Sequence, residues 1–420
     1  MMTGQNDGQS VVIVGAGTIG ISCAHYLSKM GLKVTVIDRG KLAAACSHGN
    51  CGYICPSHVP PLTEPGAFSV AFKSLFNPQA PFRVKPRISP AMWNWMWQFA
   101  KRCNHQQVLT VGKHLQAILD ASMDEYRDIM KEHAFDSEWA ENGLLYVMRT
   151  KRAMDAFAKS DKMLTEEFGV TATRIEGDQL PNFDPGLKPG LAGAFHYTGD
   201  ASVRPDRLNQ QWVESLQGSG VQFLEDCELS SIEKEGGRIR ALVTTEGKLE
   251  ADHFVFAMGA WSTRWSQELQ CRIPIEPGKG YSLTMARADS QPKYPMLFPE
   301  HKVGVSPFEN GWRLGSMMEF AGYDETIGDS RIQQLRDSAR PYLVASVDGE
   351  AEEKWFGWRP MTWDSLPIIG PTKNLHNAFL ATGHNMLGLS LAPSTGRLIA
   401  ELVTGNQTHI DATPYSPSRF

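Results

Sequence analysis

A glycine-rich turn between two apolar segments, near the start of the chain, constrains the fold more than any other feature. Val11–Val14 is a short β-branched run of the kind found in strands that are buried on both faces. The sequence GAGTIG follows, and apolar residues then recur at helical spacing until Gly31. A second apolar strand, Lys33–Ile37, ends at Asp38. This order of strand, glycines, helix, strand and acid predicts a Rossmann-type unit that binds a dinucleotide.

Each glycine of this GxGxxG motif has a predicted role. Gly15 permits the tight turn, Gly17 lets the backbone approach a pyrophosphate, and Gly20 brings the helix close to the strand. The pyrophosphate would then accept hydrogen bonds from N–H groups at the start of the helix. Asp38, at the end of the second strand, is placed to accept hydrogen bonds from a ribose. We therefore assign six residues to the dinucleotide: Gly15, Gly17, Ile19, Gly20, Asp38 and Arg39.

Composition excludes several classes of protein. The 420 residues are 42% hydrophobic with a net charge of −5, which argues against disorder and fits two domains. Lys and Arg number 41 against 46 Asp and Glu, so there is no basic surplus for a nucleic-acid partner. The seven cysteines are an odd number and mostly scattered, which predicts a reducing compartment. With no apolar run of membrane-spanning length and no secretory pattern at the N-terminus, we expect a cytoplasmic location.

The segment after the second strand decides between NAD and FAD, which the glycine motif alone does not separate. Residues 41–61, KLAAACSHGNCGYICPSHVPP, are rich in small residues and lack the regular helix that a second NAD-type unit would supply. With the glycine motif, they resemble the D-amino-acid oxidase superfamily of FAD-dependent oxidoreductases, most of all its D-amino-acid dehydrogenase (small subunit) branch. This resemblance implies that Ser47, Asn50, Gly52 and Tyr53 lie against FAD, with Tyr53 nearest the reacting ring.

Cysteines and histidines in the same segment raise the alternative of a metal site. Cys46, Cys51 and Cys55 with His48 and His58 lack the C-x2-C spacing of a zinc site, and no second ligand pair follows, so we expect no metal. A covalent flavin on His48 is not expected either, because this histidine is out of step with the one that some members of the superfamily use.

A segment in the middle of the chain resembles the same family. Residues 251–265 join an apolar strand to MGAWS, which is similar to an ATGAWS motif and implies that Gly259 and Trp261 lie at the dinucleotide. The alternative is that Gly259 only forms a turn. The resemblance also implies that the backbone of Leu229 lies on the adenine ring.

The C-terminal segment carries a further motif. In residues 354–405, GWRPMTWDSLPIIG and TGHNMLG resemble the C-terminal signature of the family, which implies that Gly383, His384 and Gly388 surround the flavin. From the residues themselves, a helix is predicted to begin beside Gly388. Its positive end can stabilise the flavin C2 carbonyl, which gains negative charge on reduction.

The resemblance implies an interleaved architecture of class α/β. A Rossmann-type FAD-binding domain is expected to alternate along the chain with an α+β substrate domain made of an antiparallel sheet and helices. The expected FAD-binding segments are 1–80, 195–265 and 355–420, and the expected substrate-domain segments are 81–194 and 266–354. Helical periodicity in the first substrate-domain segment and strand-like alternation in the second agree with this division.

The expected chemistry is oxidation of an amino acid at Cα. In the family this hydride passes directly from Cα to flavin N5, which implies that no protein base acts at Cα. An arginine suits the substrate carboxylate because its planar fork binds bidentately. Arg359 of GWRP is the candidate, with a structural ion pair to Asp364 as the alternative. Tyr281, His384 and Tyr53 complete the candidate catalytic set. A core tyrosine is the alternative for Tyr281, and a hydrogen-bonded loop histidine without a catalytic role is the alternative for His384.

The predicted activity is therefore FAD-dependent dehydrogenation of D-amino acids, with a quinone, an electron-transfer protein or O2 as acceptor. A dehydrogenase specialised for D-proline or D-hydroxyproline, and a glycine/sarcosine-type oxidase that uses O2, are the alternatives. We expect non-covalent FAD, because the neighbourhood of Arg359 lacks the cysteine that covalent relatives use.

Two questions about partners stay open at this point. Trp93, Trp95 and Trp97 predict either core packing or a peripheral contact with the inner face of the cytoplasmic membrane. The chain is also compatible with a flavin-binding subunit that is inactive outside a hetero-oligomer.

Overall fold

The first segment folds as its pattern predicts. The computed structural model describes residues 8–44, 46–67, 82–85 and 87–420. Strand β1 (Ser10–Val14) leads into helix α1 (Thr18–Lys29), and the chain returns as β2 (Lys33–Ile37), parallel to β1. The apolar residues of β1 are buried, as expected for an inner strand of a parallel sheet.

Six strands form this sheet, and all are parallel except one edge strand. In sheet order they are β19 (Ile368–Pro371), β20 (Ala378–Thr382), β13 (His253–Phe256), β1, β2 and β9 (Gln222–Leu224). Strand β19 runs antiparallel to β20. Strands from distant parts of the sequence therefore bring their carboxyl ends to one edge, where ligands of such sheets bind.

A second sheet has nine strands and is mostly antiparallel. Its main order is β18 (Ala351–Thr362), β14 (Ile275–Ala286), β17 (Gly311–Phe320), β16 (Val303–Phe308), β15 (Met296–Phe298), β5 (Leu144–Met148), β7 (Gly193–Tyr197) and β6 (Thr173–Glu176). Strand β4 (Phe82–Val84) pairs with β17 outside this order.

Smaller elements complete the sheet structure. A two-stranded pair joins β3 (Tyr53–Ile54) to β8 (Ala201–Ser202). Three antiparallel strands form a separate sheet: β10 (Leu229–Glu235), β11 (Arg238–Thr244) and β12 (Gly247–Leu249). Short 3-10 helices span Gly259–Trp265, Thr413–Tyr415 and Pro417–Arg419.

The helices expected before residue 170 are confirmed, and their ends carry recognisable caps. After α1 the helices are α2 (Pro90–Arg102), α3 (His105–His133), α4 (Lys151–Phe168), α5 (Leu180–Phe183), α6 (Pro205–Gly218), α7 (Asp329–Ala339) and α8 (Gly388–Thr404). The Asn104 side chain accepts a hydrogen bond from the backbone N–H of Gln107 at the start of α3, and Gly169 ends α4 in the left-handed conformation.

Close packing of α1 against α8 anchors the six-stranded sheet. Gly396 lies against the backbone of Ser22, where a Cβ would overlap Ser22. The Ser22 hydroxyl donates to the Ala392 carbonyl at 2.7 Å. Both helices begin at the same edge of the sheet, so this contact fixes two helix N-termini relative to each other.

The predicted fold class is confirmed: a Rossmann-type unit lies beside a largely antiparallel sheet with helices. The expected domain boundaries stay a prediction. Two strands of the nine-stranded sheet, β7 and β18, run across the expected boundaries at 195 and 355.

The tryptophans of α2 differ in their exposure to solvent. Trp95 is buried, whereas Trp93 and Trp97 are 45% and 60% exposed. None of the helices in the described part of the chain has the length and apolar character needed to cross a membrane.

Candidate functional site

A cavity of about 1370 Å³ lies where the carboxyl edge of the six-stranded sheet meets the nine-stranded sheet. Most of the residues assigned from sequence line it: Gly15, Gly17, Ile19, Asp38, Arg39, Ser47, Asn50, Tyr53, Leu229, Gly259, Trp261, Tyr281, Arg359, His384 and Gly388. Gly20, Gly52 and Gly383 are not among the lining residues. The fold therefore gathers residues from across the whole sequence around one space.

Helix α1 presents a free N-terminus to this cavity. Gly17 is its N-cap, no side chain caps it, and no acidic residue lies in its first turn. The Thr18 hydroxyl is buried without a hydrogen-bond partner and its residue lines the cavity. Unpaired N–H groups and this hydroxyl suit the oxygens of a pyrophosphate.

The glycines of the motif act through backbone contacts. Gly15 has φ +110°, and a Cβ there would lie 2.6 Å from the carbonyl oxygen of Ala257, the residue that follows neighbouring β13. A Cβ on Gly20 would overlap the carbonyl of Gly15. Gly20 thus serves helix packing behind the cavity, which is the role its spacing predicts.

Asp38 and Arg39 lie at the carboxyl end of β2. The Asp38 carboxylate accepts hydrogen bonds from the backbone N–H groups of Ala16, at 2.7 Å, and Gly40, at 3.0 Å. These bonds orient the carboxylate and leave lone pairs for a ribose. The Arg39 guanidinium stacks 4.2 Å from the ring centroid of Trp261, so the two form one wall of the cavity.

The loop around Ser47 and Asn50 is held by a side-chain hydrogen bond and by close packing of a glycine. The Asn50 side chain accepts a hydrogen bond from the Gly52 N–H at 2.8 Å. Gly52 has φ +79°, and a Cβ there would overlap the carbonyl of Val203. Gly52 therefore lets the loop pack closely against Val203 on the side away from the cavity. Ser47 and Asn50 line the cavity.

Arg313 is a supporting residue that sequence reasoning missed. It is 1% exposed on β17, and its Nη1 donates to the carbonyls of His48 and Asn50 at 3.0 and 2.9 Å. Burial lowers its pKa, while the nearby carboxylates of Asp206 and Glu353 oppose that effect. An arginine in a strand pattern indicates a solvent-facing position, so no signal in the sequence marked it.

Arg359 is a partly buried cation that faces the cavity. Its Nη1 donates to the Met317 carbonyl at 2.8 Å, and its side chain lies over Gly280, where a Cβ would overlap the guanidinium. No ion pair joins it to a carboxylate in the described part of the chain, since Asp364 pairs with Arg419 at 2.8 Å. Burial lowers its pKa, but arginine starts so high that it stays charged. The remaining N–H donors are available to an anion.

The side chains of the two candidate tyrosines, Tyr281 and Tyr53, point to different surroundings. Tyr281 lies on β14 next to Gly280, so its side chain points to the opposite face of the strand from Arg359. Its hydroxyl donates to Glu319 at 2.6 Å, and the structure does not bring it to Arg359. The ring of Tyr53 lines the cavity, while its hydroxyl lies 2.9 and 3.0 Å from the carbonyls of Met296 and Val305.

His384 and the start of α8 form the other end of the cavity. The imidazole Nε2 of His384 lies 3.0 Å from the Thr395 hydroxyl. Burial lowers its pKa to about 3, so the ring is neutral at physiological pH. Helix α8 begins at Gly388 with no side-chain cap and no acid in its first turn. Its positive end therefore faces the cavity beside a neutral histidine.

The cysteines of the loop do not form a metal cluster. Cys46, Cys51 and Cys55 line the cavity, but burial raises the pKa of each, which keeps them as neutral thiols. His48 is bound to Glu353 at 2.8 Å and does not line the cavity. Among the described residues, the one group close enough to hold a metal is elsewhere: His25, Glu132 and His133.

The site fits FAD on its own chemistry. One end offers a free helix N-terminus, an unpaired buried hydroxyl at Thr18 and the oriented carboxylate of Asp38. The other end offers a second free helix N-terminus at Gly388. Such an elongated site with two positive helix ends suits a dinucleotide whose ring system gains negative charge.

Comparisons with known proteins agree with this reading. Residues 10–402 match the family DAO, described as FAD dependent oxidoreductase. The chain is 32% identical over 417 residues to a D-amino acid dehydrogenase of Agrobacterium fabrum, covering 98% of this chain and 99% of that protein. A D-amino acid dehydrogenase of Neisseria meningitidis is 32% identical over 416 residues, with 98% and 99% covered.

Solved structures show the same fold at lower identity. Glycine oxidase from Geobacillus kaustophilus superposes with a TM-score of 0.76 at 20% identity, covering 99% of this chain and all of that one. L-proline dehydrogenase from P. horikoshii superposes with a TM-score of 0.72 at 19% identity, covering 99% and 98%.

Proposed function

Because the chain belongs to the DAO family of FAD-dependent oxidoreductases, we propose that it is a dehydrogenase of D-amino acids. Full-length similarity to proteins named D-amino acid dehydrogenase supports the substrate class. The observation that carries the proposal is Arg359: a partly buried arginine, without a carboxylate partner among the described residues, faces the cavity. A carboxylate is the anion that its planar fork binds best.

The residues of the chain position the substrate and contribute no base at Cα. When bound, FAD supplies the acceptor for a hydride from Cα. Arg359 holds the substrate carboxylate, and this fixes Cα in the cavity. The substrate must bind with a neutral amine, so that loss of the hydride gives an iminium that releases a proton and is hydrolysed to the keto acid and ammonia. Of the other candidate catalytic residues, Tyr53 and His384 line the cavity in which the substrate binds.

The assignments at the cofactor follow from the same geometry. Gly17 and Thr18 bind the pyrophosphate, and Asp38 binds the ribose. The neutral imidazole of His384 and the start of α8 at Gly388 lie beside the flavin ring. We propose that FAD is non-covalent, as the neutral thiols and the engaged His48 favour. Acid precipitation of the holoenzyme should leave flavin in the supernatant, and flavin in the pellet would refute this attachment.

The electron acceptor and the location of the enzyme belong to the proposal as well. A quinone, an electron-transfer protein or O2 reoxidises the flavin. Trp93 and Trp97 are exposed on one side of α2, where they suit a peripheral contact with a membrane on the cytoplasmic side. Sedimentation with anionic vesicles, compared between the native chain and a Trp93→Ser/Trp97→Ser variant, tests this contact.

Substrate assays with the purified holoenzyme test the central proposal. Anaerobic mixing with D-amino acids should bleach the flavin absorbance, and an artificial dye should be reduced in steady state. L-enantiomers, D-proline, glycine and sarcosine serve as controls. Turnover of L-enantiomers or glycine alone would refute the assignment, and peroxide formation without dye reduction would favour an oxidase. Activity only after addition of a cell extract would indicate a subunit of a hetero-oligomer.

A further inference from the structure

The cavity contains an apolar region next to Arg359. Ten described residues belong to one hydrophobic cluster and also line the cavity: Leu62, Ala67, Phe82, Trp95, Met96, Phe99, Met318, Phe320, Met361 and Met386. None of these ten carries a charge. They come from α2, from strands β4, β17 and β18, and from the loops around residues 62–67 and 386.

Strand pairing places this region at the guanidinium. Arg359 and Met361 are two residues apart on β18, so their side chains share one face. Gly278 of β14 is opposite Arg359. A Cβ on Gly278 would overlap the Met318 sulfur and lie 2.8 Å from Cγ of Met361. The two methionines therefore occupy the space above this glycine and border the arginine.

Loop 384–388 brings the same region to the start of α8. The Asn385 N–H donates to the Pro360 carbonyl at 3.2 Å, which ties the loop to β18. Met386 then contributes to the apolar cluster. The region thus lies between the proposed carboxylate anchor and the proposed flavin position, which is where the side chain of a bound amino acid has to go.

Two polar side chains in this region, Trp95 and Asn385, are already paired with the protein. The Trp95 indole N–H donates to the Met361 carbonyl at 3.0 Å. The Asn385 side chain accepts from the Thr362 N–H at 2.9 Å and donates to the Gly383 carbonyl at 3.0 Å. A charged substrate side chain would find no partner among these groups, and burial without a partner is costly. Glu64, between Leu62 and Ala67, also lines the cavity, but its side chain is exposed to solvent.

We propose that this region is the side-chain pocket of the substrate and selects amino acids with bulky apolar side chains. Met96, Met318 and Met361 are its specificity-determining residues, since flexible thioethers fill gaps around side chains of differing shape. This inference rests on the proposed function, because it takes Arg359 as the carboxylate anchor. It goes further by excluding glycine, small and charged amino acids as preferred substrates.

Matched substrates test the pocket with the holoenzyme. D-Norleucine and D-lysine share a straight chain of four carbons and differ by the terminal ammonium. We expect kcat/KM for D-norleucine to exceed that for D-lysine by about 100-fold or more, since the ammonium would be buried without a partner. D-Norleucine should also exceed D-alanine by about 10-fold or more. Equal or reversed ratios would overturn the inference while leaving a D-amino-acid dehydrogenase in place.

A charge added on the helix that borders the region gives the sharper test. A carboxylate at position 318 or 361 would lie on the strands that border Arg359 and would compete with the substrate for it, whereas Met96 belongs to α2. Met96→Glu should raise kcat/KM for D-lysine relative to D-norleucine by about 10-fold or more. The isosteric control, Met96→Leu, should keep the native preference. An unchanged preference in a Met96→Glu protein with full flavin content would overturn the assignment.

A binding measurement does not depend on turnover or on the folding of a variant. The non-reactive acids 4-methylpentanoate and succinate are titrated into the native holoenzyme while tryptophan fluorescence is followed. The pocket predicts tighter binding of 4-methylpentanoate, and preferential binding of succinate would contradict it. If no D-amino acid is oxidised but 4-methylpentanoate still binds more tightly, the proposed function fails and the pocket stands.

Discussion

Replacing Arg359 by alanine should separate substrate binding from stability. The guanidinium makes one bond to the protein, to the Met317 carbonyl at 2.8 Å, and has no carboxylate partner in the described chain. Its other donors therefore serve the substrate in our proposal. Removing them should weaken binding of every amino acid that shares the carboxylate.

The magnitude follows from the number of bonds lost. A hydrogen bond to a charged group contributes roughly 1.5–3 kcal/mol, and a bidentate pair partly replaced by water should lose about 3 kcal/mol. That corresponds to a loss of about 150-fold in kcat/KM at 25 °C. The free energy of unfolding should change little, because the variant loses one hydrogen bond and also removes a partly buried charge without a carboxylate partner among the described residues.

Steady-state kinetics, flavin content and thermal unfolding are the three measurements. Arg419→Ala is the matched control, since Arg419 is also partly buried but pairs with Asp364. That control should lower the free energy of unfolding by about 3 kcal/mol or more, because it leaves Asp364 without its partner. Its KM should stay at the native value.

Two outcomes would refute the reasoning about Arg359. Unchanged kcat/KM in Arg359→Ala would place the carboxylate anchor elsewhere. A large loss of stability, with flavin lost as well, would show that Arg359 has a structural role.

Three further changes test other parts of the structure. Gly17→Val should abolish FAD binding, because a branched side chain at the N-cap of α1 blocks the pyrophosphate; a yellow, active variant would contradict this. Gly280→Ala should lower kcat/KM with the flavin retained, because the added methyl displaces the guanidinium of Arg359, and native kinetics would speak against that contact. Burial raises the pKa of the Asp200 carboxyl group from 3.8 to about 7. Because the folded protein binds the carboxyl proton more tightly than the unfolded chain does, the free energy of unfolding falls as the pH rises from about 4 to about 7. Asp200→Asn should lack this loss, and parallel stability curves for the two proteins between pH 4 and pH 8 would rule out the shifted pKa.

The dinucleotide end of the site could be predicted from sequence because its determinants are local. Strand, turn, helix and acid follow one another within residues 11–38, and each glycine meets a steric requirement of that short unit. The Asp38 carboxylate is oriented by the N–H groups of Gly40 and Ala16, which are two and twenty-two residues away in the sequence. A motif of this length can be recognised in the sequence alone.

The substrate end could not be predicted in the same way. Strand β14 is buried along almost its whole length, so hydrophobic alternation does not show which face meets the cavity. The sequence places Tyr281 in the candidate catalytic set with Arg359, yet the Tyr281 hydroxyl donates to Glu319 on the other face of the strand. Arg313 holds the loop around Ser47 and Asn50 from a distant strand, and no local signal in the sequence marks it.

The sequence by itself determined the dinucleotide-binding unit, the family and the use of FAD, because these depend on short motifs whose backbone geometry is encoded locally. Only the tertiary structure decided that Arg359 has no carboxylate partner in the described chain, that Gly280 makes room for its guanidinium, and that methionines border it. Those relations arise where distant strands pair and two sheets meet. Contacts between residues that are far apart in the sequence depend on strand register and on packing, and no single segment of the sequence specifies either.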